Sequence, residues 1–176
     1  MDAVQSQHFG RVRQLRESFA EANERLVARL RAASDEAAGH AAAGEWSAAQ
    51  IGWHVAAVTT RLAGLISGDL AGVEPLTDDF RERSWPEVVA SIPQKTQAPA
   101  AVAPPAVVRR DAAIAALEAA GMRMARALDV LTPERGARMG ITRPVMGSIT
   151  VYQIGDWATA HIIRHNRQAK RVLGEG

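Results

Sequence analysis

Six of the eight prolines, at positions 75, 86, 93, 99, 104 and 105, fall between Asp69 and Arg110. Proline removes a backbone donor and breaks the interior of a helix or central strand, so this stretch reads as a connection rather than one element. It far exceeds the few residues that ordinarily join neighbouring helices. A link of this length can carry the chain back along the whole of a bundle. The helices before and after it are therefore expected to be parallel neighbours, unlike those of a simple up-and-down arrangement. Within it, Ser84-Trp85-Pro86-Glu87 looks like the cap of a short helix reaching Ile92, and Ala98 to Ala106 is an Ala/Pro tract expected to be extended.

Outside the connection, apolar residues recur at alternating steps of three and four. A first helix is expected from about Val4 to Ala33, with Val12, Leu15, Phe19, Ala22, Leu26 and Leu30 inward, and Ala37 to Gly44 breaks it. The second opens with Ser47 as cap, Gln50 completing a capping box and Trp46 stapling onto Ile51. Its core face runs Ile51, His54/Val55, Val58, Leu62 and Leu65 before Ser67-Gly68 stops it. A third runs from Asp111 as cap to Leu131 through Ile114, Leu117, Gly121, Met124 and Leu128. Gly121 there suits a close approach by a neighbour. The loop Glu134 to Gly147 holds enough turn residues for a compact excursion or a small hairpin. The fourth helix starts at Ser148 or Thr150, the latter with Gln153 as a second capping box, and runs to Leu173. Its inward positions are Val151, Ile154, Ala158, His161, Ile162, His165, Ala169 and Val172. Long stretches lack β-branched runs, and 176 residues at 47% hydrophobic suffice for one core. The expectation is an all-α four-helix bundle spanning 1–176 as a single domain.

Two of those inward positions are histidine, one turn apart, and His54 repeats the pattern on the second helix. Imidazoles at i and i+4 start about 5 to 6 Å apart, so His161 and His165 can chelate one ion without bending the backbone. A lone histidine facing a core is usually a hydrogen-bonded core residue. Three of them with few carboxylate partners would leave ring nitrogens unsatisfied, and a shared cation removes that cost. Three neutral ligands leave a divalent ion its full positive charge and at least one open position, the catalytic pattern. Zn²⁺ is the first choice, and imidazole also suits Ni²⁺, Co²⁺ and Fe²⁺. His8, near a terminus, and His40, in a glycine-rich segment, are poor candidates. No catalytic acid or base is identified. Asp156 reads as a solvent-facing charge, and Asn166 and Gln168 read as surface residues that could orient ligands from behind.

Cysteine is absent, so any sulfur nucleophile must arrive on a small molecule. Net charge is +2, and the basic segment Arg164 to Arg171 closes the last helix, where cations offset the dipole; no nucleic-acid footprint is read. The segment Met1 to His8 lacks the apolar core of a signal peptide, and no apolar run approaches a bilayer's thickness. No membrane association is expected, and a cytoplasmic placement is. A small-residue face on the second helix, Trp53, Ala57, Thr60 and Gly64, suits either a homodimer or packing against the connection.

At these residues the chain resembles the DinB/YfiT-like family of metalloenzymes. The likeness rests on Gly44-Glu45-Trp46-Ser47-Ala48-Ala49-Gln50-Ile51-Gly52-Trp53-His54, on His161-x-x-x-His165, and on Met146-Gly147-Ser148-Ile149-Thr150 with Gln153. The resemblance implies a four-helix bundle with a long crossover, often a homodimer, with a divalent metal on three histidines. Relatives include S-transferases and isomerases that use bacillithiol, mycothiol or glutathione. The mycothiol-dependent isomerase branch has a carboxylate among its last-helix ligands, where this chain has His-x-x-x-His. The expected function is thiol-dependent S-transfer to an electrophile held near Trp46, Trp53 or Trp157. The alternatives are a hydrolase using metal-bound water and a non-catalytic metal-binding stress or interaction protein.

Overall fold

The computed structural model describes residues 2–90, 98–144 and 147–175. The first helix, α1 (Ala3–Ala32), begins where the Asp2 carboxylate accepts from the Gln5 amide. It keeps Leu15, Phe19, Ala22, Leu26 and Leu30 inward. A five-residue helix, α2 (Asp35–Gly39), follows where the sequence suggested only a break. Ser34 caps it, and Asp35 and Glu36 offset the dipole in its first turn.

The helix α3 (Ala48–Ser67) carries the expected capping box of Ser47 and Gln50, and Gly68 at φ 95° ends it. The crossover contains a two-residue strand, β1 (Glu74–Pro75), a short helix α4 (Trp85–Ala90), and a 3₁₀ turn at Ala100–Val102 inside the tract expected to be extended. The expected end of the short helix at Ile92, and Pro93, lie outside the described residues.

Next comes α5 (Arg110–Asp129). Asp111 is not its cap. Arg109 holds that position and makes no side-chain cap bond, while Asp111 sits inside the first turn, paired with the Arg109 guanidinium. The loop expected after it resolves into α6 (Pro133–Arg138), capped by Thr132 with proline at its start, and a hairpin of β2 (Met139–Arg143) and β3 (Gly147–Thr150). The strands pair antiparallel in the order β1-β2-β3, with Ile141 opposite Ile149. Ser148 lies in β3, so Thr150 with Gln153 caps α7 (Val151–Val172). Met146 of the quoted glycine turn is outside the described residues.

The architecture is mostly α-helical, with this small sheet at one end. Side-chain contacts fix the helix directions. A Cβ on Gly52, early in α3, would sit 3.4 Å from Ala113 and 3.5 Å from Leu117, both early in α5. At the other end the Arg135 guanidinium, just past α5, donates to the Ile66 and Leu65 carbonyls at the end of α3. Helices α3 and α5 are thus parallel, as the long crossover requires. Bonds from Arg11 to Asp156 and from Arg29 to Asn166 run α1 parallel to α7. Gly121 does meet a neighbour closely, its added Cβ lying 2.9 Å from Asn23 Nδ2. No helix among the described residues is long and apolar enough to cross a membrane.

Candidate metal centre

His54 is buried on α3, His165 is buried on α7, and His161 is partly buried one turn before it. Each ring offers one nitrogen, and the three lie within 4.8 Å of one another. Ring centroids are 5.1 Å apart for His54 and His161, 4.9 Å for His54 and His165, and 4.4 Å for His161 and His165. The three residues singled out in the sequence therefore meet, on two helices brought side by side by the bundle.

Two of the rings are oriented from behind. His54 Nδ1 donates to the Val102 carbonyl at 2.8 Å, and His165 Nδ1 donates to Gln168 Oε1 at 2.8 Å. With the proton on Nδ1, each presents the lone pair of Nε2 forward, the usual way a ligating imidazole is set. His161 Nδ1 is buried without a hydrogen-bond partner among the described residues. Its Nε2 stands 3.2 Å from His54 Nε2.

That spacing fits a shared ion. Ligands at about 2.0 to 2.1 Å in tetrahedral array stand roughly 3.4 Å apart. The His161 Nδ1 left without a partner among the described residues costs about 1 to 3 kcal/mol; an ion on the Nε2 side would add binding energy against that cost without itself satisfying Nδ1.

Electrostatics keeps the donors neutral. Burial, then the His165, His54 and Arg164 charges, pulls the His161 imidazole down to about 2. Burial pulls His165 down to about 4 against its Gln168 bond, with His54 and Arg164 adding to the fall. His54 is lowered by burial, partly opposed by its bond to Val102. Neutral imidazole is the ligating form, so protons compete weakly here. Among the described residues, the Arg164 charge also lowers all three rings slightly.

The Trp46 ring packs 4.9 Å from His54, whereas Trp53 and Trp157 are half-buried against the core. His8 bonds the Tyr152 hydroxyl at 2.6 Å, and His40 is exposed. Asn166 accepts from Arg29 rather than from a ring. Gln168, read as a surface residue, instead holds His165.

Asp156 corrects its expected role as a solvent-facing charge. Only 16% of its side chain is exposed, it pairs with Arg11, and burial raises its carboxyl despite that cation. It lines a groove of about 370 Å³ between α1 and α7 with Trp85, Thr159 and Ile163. The small-residue face of α3 is covered at one end by the crossover, where a Cβ on Gly64 would meet Leu70 at 3.2 Å.

The model of the DinB superfamily matches residues 18–169, which takes in all three histidines. The chain belongs to the DinB superfamily. Among solved structures, the crystal structure of a conserved protein from Enterococcus faecalis is similar at a TM-score of 0.62, with 19% identity. The match covers 98% of this chain and 96% of that one, and shows the shared fold. No curated protein matches this chain by sequence. Membership of the superfamily and three histidines able to hold an ion are two findings that point the same way.

Proposed function

We propose that this DinB-superfamily chain is a divalent-metal-dependent enzyme of the thiol S-transferase type, with His54, His161 and His165 as the ligands. The observation that carries the reading is the convergence of three neutral imidazole nitrogens within 4.8 Å, two of them oriented by partners behind the ring. Zn²⁺ is the preferred ion, with Ni²⁺, Co²⁺ and Fe²⁺ as the other metals that imidazole suits. Bound there, a divalent ion supplies Lewis-acid stabilisation of an anionic sulfur at neutral pH.

The protein's own residues do the rest. Three neutral ligands leave a divalent ion its full positive charge, which favours an anionic partner such as a thiolate. The absence of cysteine means that sulfur comes from a low-molecular-weight thiol. Trp46, against His54, offers an apolar wall for an electrophile. In the reaction the carbon–sulfur bond forms as the bond to the leaving group breaks, the leaving group departs with the electron pair, and the thiol proton passes to solvent.

Metal analysis of the purified protein and of His54→Ala, His161→Ala and His165→Ala should find about one ion per chain in the parent and a loss in each variant. Unchanged content in all three would reject the site. A panel of electrophiles run with and without added thiols then separates the chemistries. Turnover only with thiol supports S-transfer, turnover without thiol replaces it with hydrolysis through bound water, and neither leaves a non-catalytic metal-binding protein. The reading includes a homodimer through the Trp53, Ala57 and Thr60 face of α3. Sedimentation showing only monomer at high concentration would remove it.

A further inference from the structure

Both long helices that open with a capping box use glutamine, not glutamate, to complete it. The box needs only an acceptor there, and glutamate supplies one with an added dipole advantage. The amide's N–H₂ group is surplus to capping, and in both helices it donates to the crossover. Gln153 Nε2 reaches the Arg83 carbonyl at 2.7 Å, and Gln50 Nε2 reaches those of Pro105 at 2.8 Å and Ala106 at 3.1 Å.

Gln50 lies one turn before His54, so the two share a stripe of α3. Together they grip the same stretch of crossover, Gln50 at residues 105 and 106 and His54 at the carbonyl of Val102. That carbonyl puts the His54 proton on Nδ1 and leaves Nε2 facing His161. It belongs to the main chain, so its position depends on what pins the crossover beside it.

We propose that Gln50 is a positioning residue for the metal centre. By anchoring the carbonyls of Pro105 and Ala106 it holds the Val102 carbonyl against His54, and so sets the His54 tautomer that ligation requires. The inference rests on the three-histidine metal reading. It adds that metal affinity is linked to docking of residues 98–106, and linkage makes the effect reciprocal: the ion should tighten that segment.

The discriminating variant is Gln50→Glu. Its carboxylate still accepts from the Ser47 amide, so the α3 cap and Tm should hold, but it has no proton for the crossover carbonyls and repels them. In the metal-free protein, amide exchange between Ala98 and Ala106 should quicken, and ¹⁵N NMR of the imidazoles should show His54 gaining the Nε2–H tautomer. Zn²⁺ affinity, measured against a competing chelator, should fall about tenfold, within the range for groups that orient a metal ligand. Gln50→Met, which removes donor and acceptor without adding charge, should move tautomer and affinity the same way while also lowering Tm.

A merely structural role would lower Tm and leave tautomer and affinity alone. Wild-type tautomer or wild-type Zn²⁺ affinity in Gln50→Glu overturns the proposal. If the parent itself binds no Zn²⁺, the metal reading fails, and the tautomer of the metal-free protein still decides whether Gln50 sets His54.

Discussion

His161 and His165 carry a pH signature that belongs to single side chains. In the unfolded chain both rings titrate near about 6.5. In the folded chain His165 stays neutral down to about 4 and His161 down to about 2. Between about 6.5 and 4 the unfolded state therefore binds more protons, so these groups make the metal-free fold less stable as pH falls, and they add no slope above that window. Urea midpoints should be level from about pH 8 to 7 and lower at about pH 5.5. A midpoint that holds or rises on acidification would contradict the burial assigned to these rings. Asp156 invites a second measurement at this scale. Its carboxyl is raised by burial although Arg11 is bonded to it, so desolvation outweighs the pair's attraction. Arg11→Met strands that carboxylate and should cost about 1 to 3 kcal/mol, less than for a fully buried pair. Arg11→Met with Asp156→Leu should recover most of the loss. A double variant as unstable as the single one would show the pair to be a net stabiliser.

Two helical glycines separate packing from propensity at the scale of elements. Gly52 lies where α3 meets both α1 and α5, and a Cβ there would stand 2.8 Å from Leu30 Cδ1. Gly52→Ala should cost about 1 to 3 kcal/mol through overpacking. In α1, a Cβ on Gly10 meets nothing within 4 Å, so Gly10→Ala should stabilise by about 0.5 to 1 kcal/mol. Thermal unfolding of the two variants checks the opposite signs. The same division between local and distant causes explains what could be read along the chain. Capping boxes at Ser47/Gln50 and Thr150/Gln153 are settled within four residues, and the α3 and α7 boundaries follow from them. The i, i+4 spacing likewise put His161 and His165 together, and the apolar stripe around His54 turned it toward them. The Val102 carbonyl had no such signal, since a backbone acceptor carries no residue identity. Asp156 is paired with Arg11, 145 positions away, which no local pattern announces. The α6 helix and the sheet lie in a stretch whose turn residues allowed several folds, and Thr132-Pro133, which follows α5 closely, opens a new helix.

For the molecule as a whole, an ion held by His54 on one helix and by His161 and His165 on another would act as a cross-link present only in the folded state. Binding to the native state alone stabilises by about 2.7 kcal/mol when free ligand is a hundredfold above Kd. For a chain of this size that corresponds to a rise in Tm of roughly 5 to 11 °C, reversed by a chelator. His161→Leu makes the test sharper, because it removes the ligand together with the buried nitrogen that has no partner among the described residues. Exchanging that nitrogen for apolar volume relieves a cost of about 1 to 3 kcal/mol. The metal-free variant should melt at or above the metal-free parent and show no response to Zn²⁺. A parent that gains nothing from Zn²⁺, or a variant that still gains the full shift, would mean that the imidazoles meet for packing alone. A variant that melts well below the metal-free parent would instead show that His161 is held by contacts worth more than the orphaned nitrogen costs. The expected pattern, stability given up in the empty site and recovered with the ion, is what a centre kept for chemistry should display.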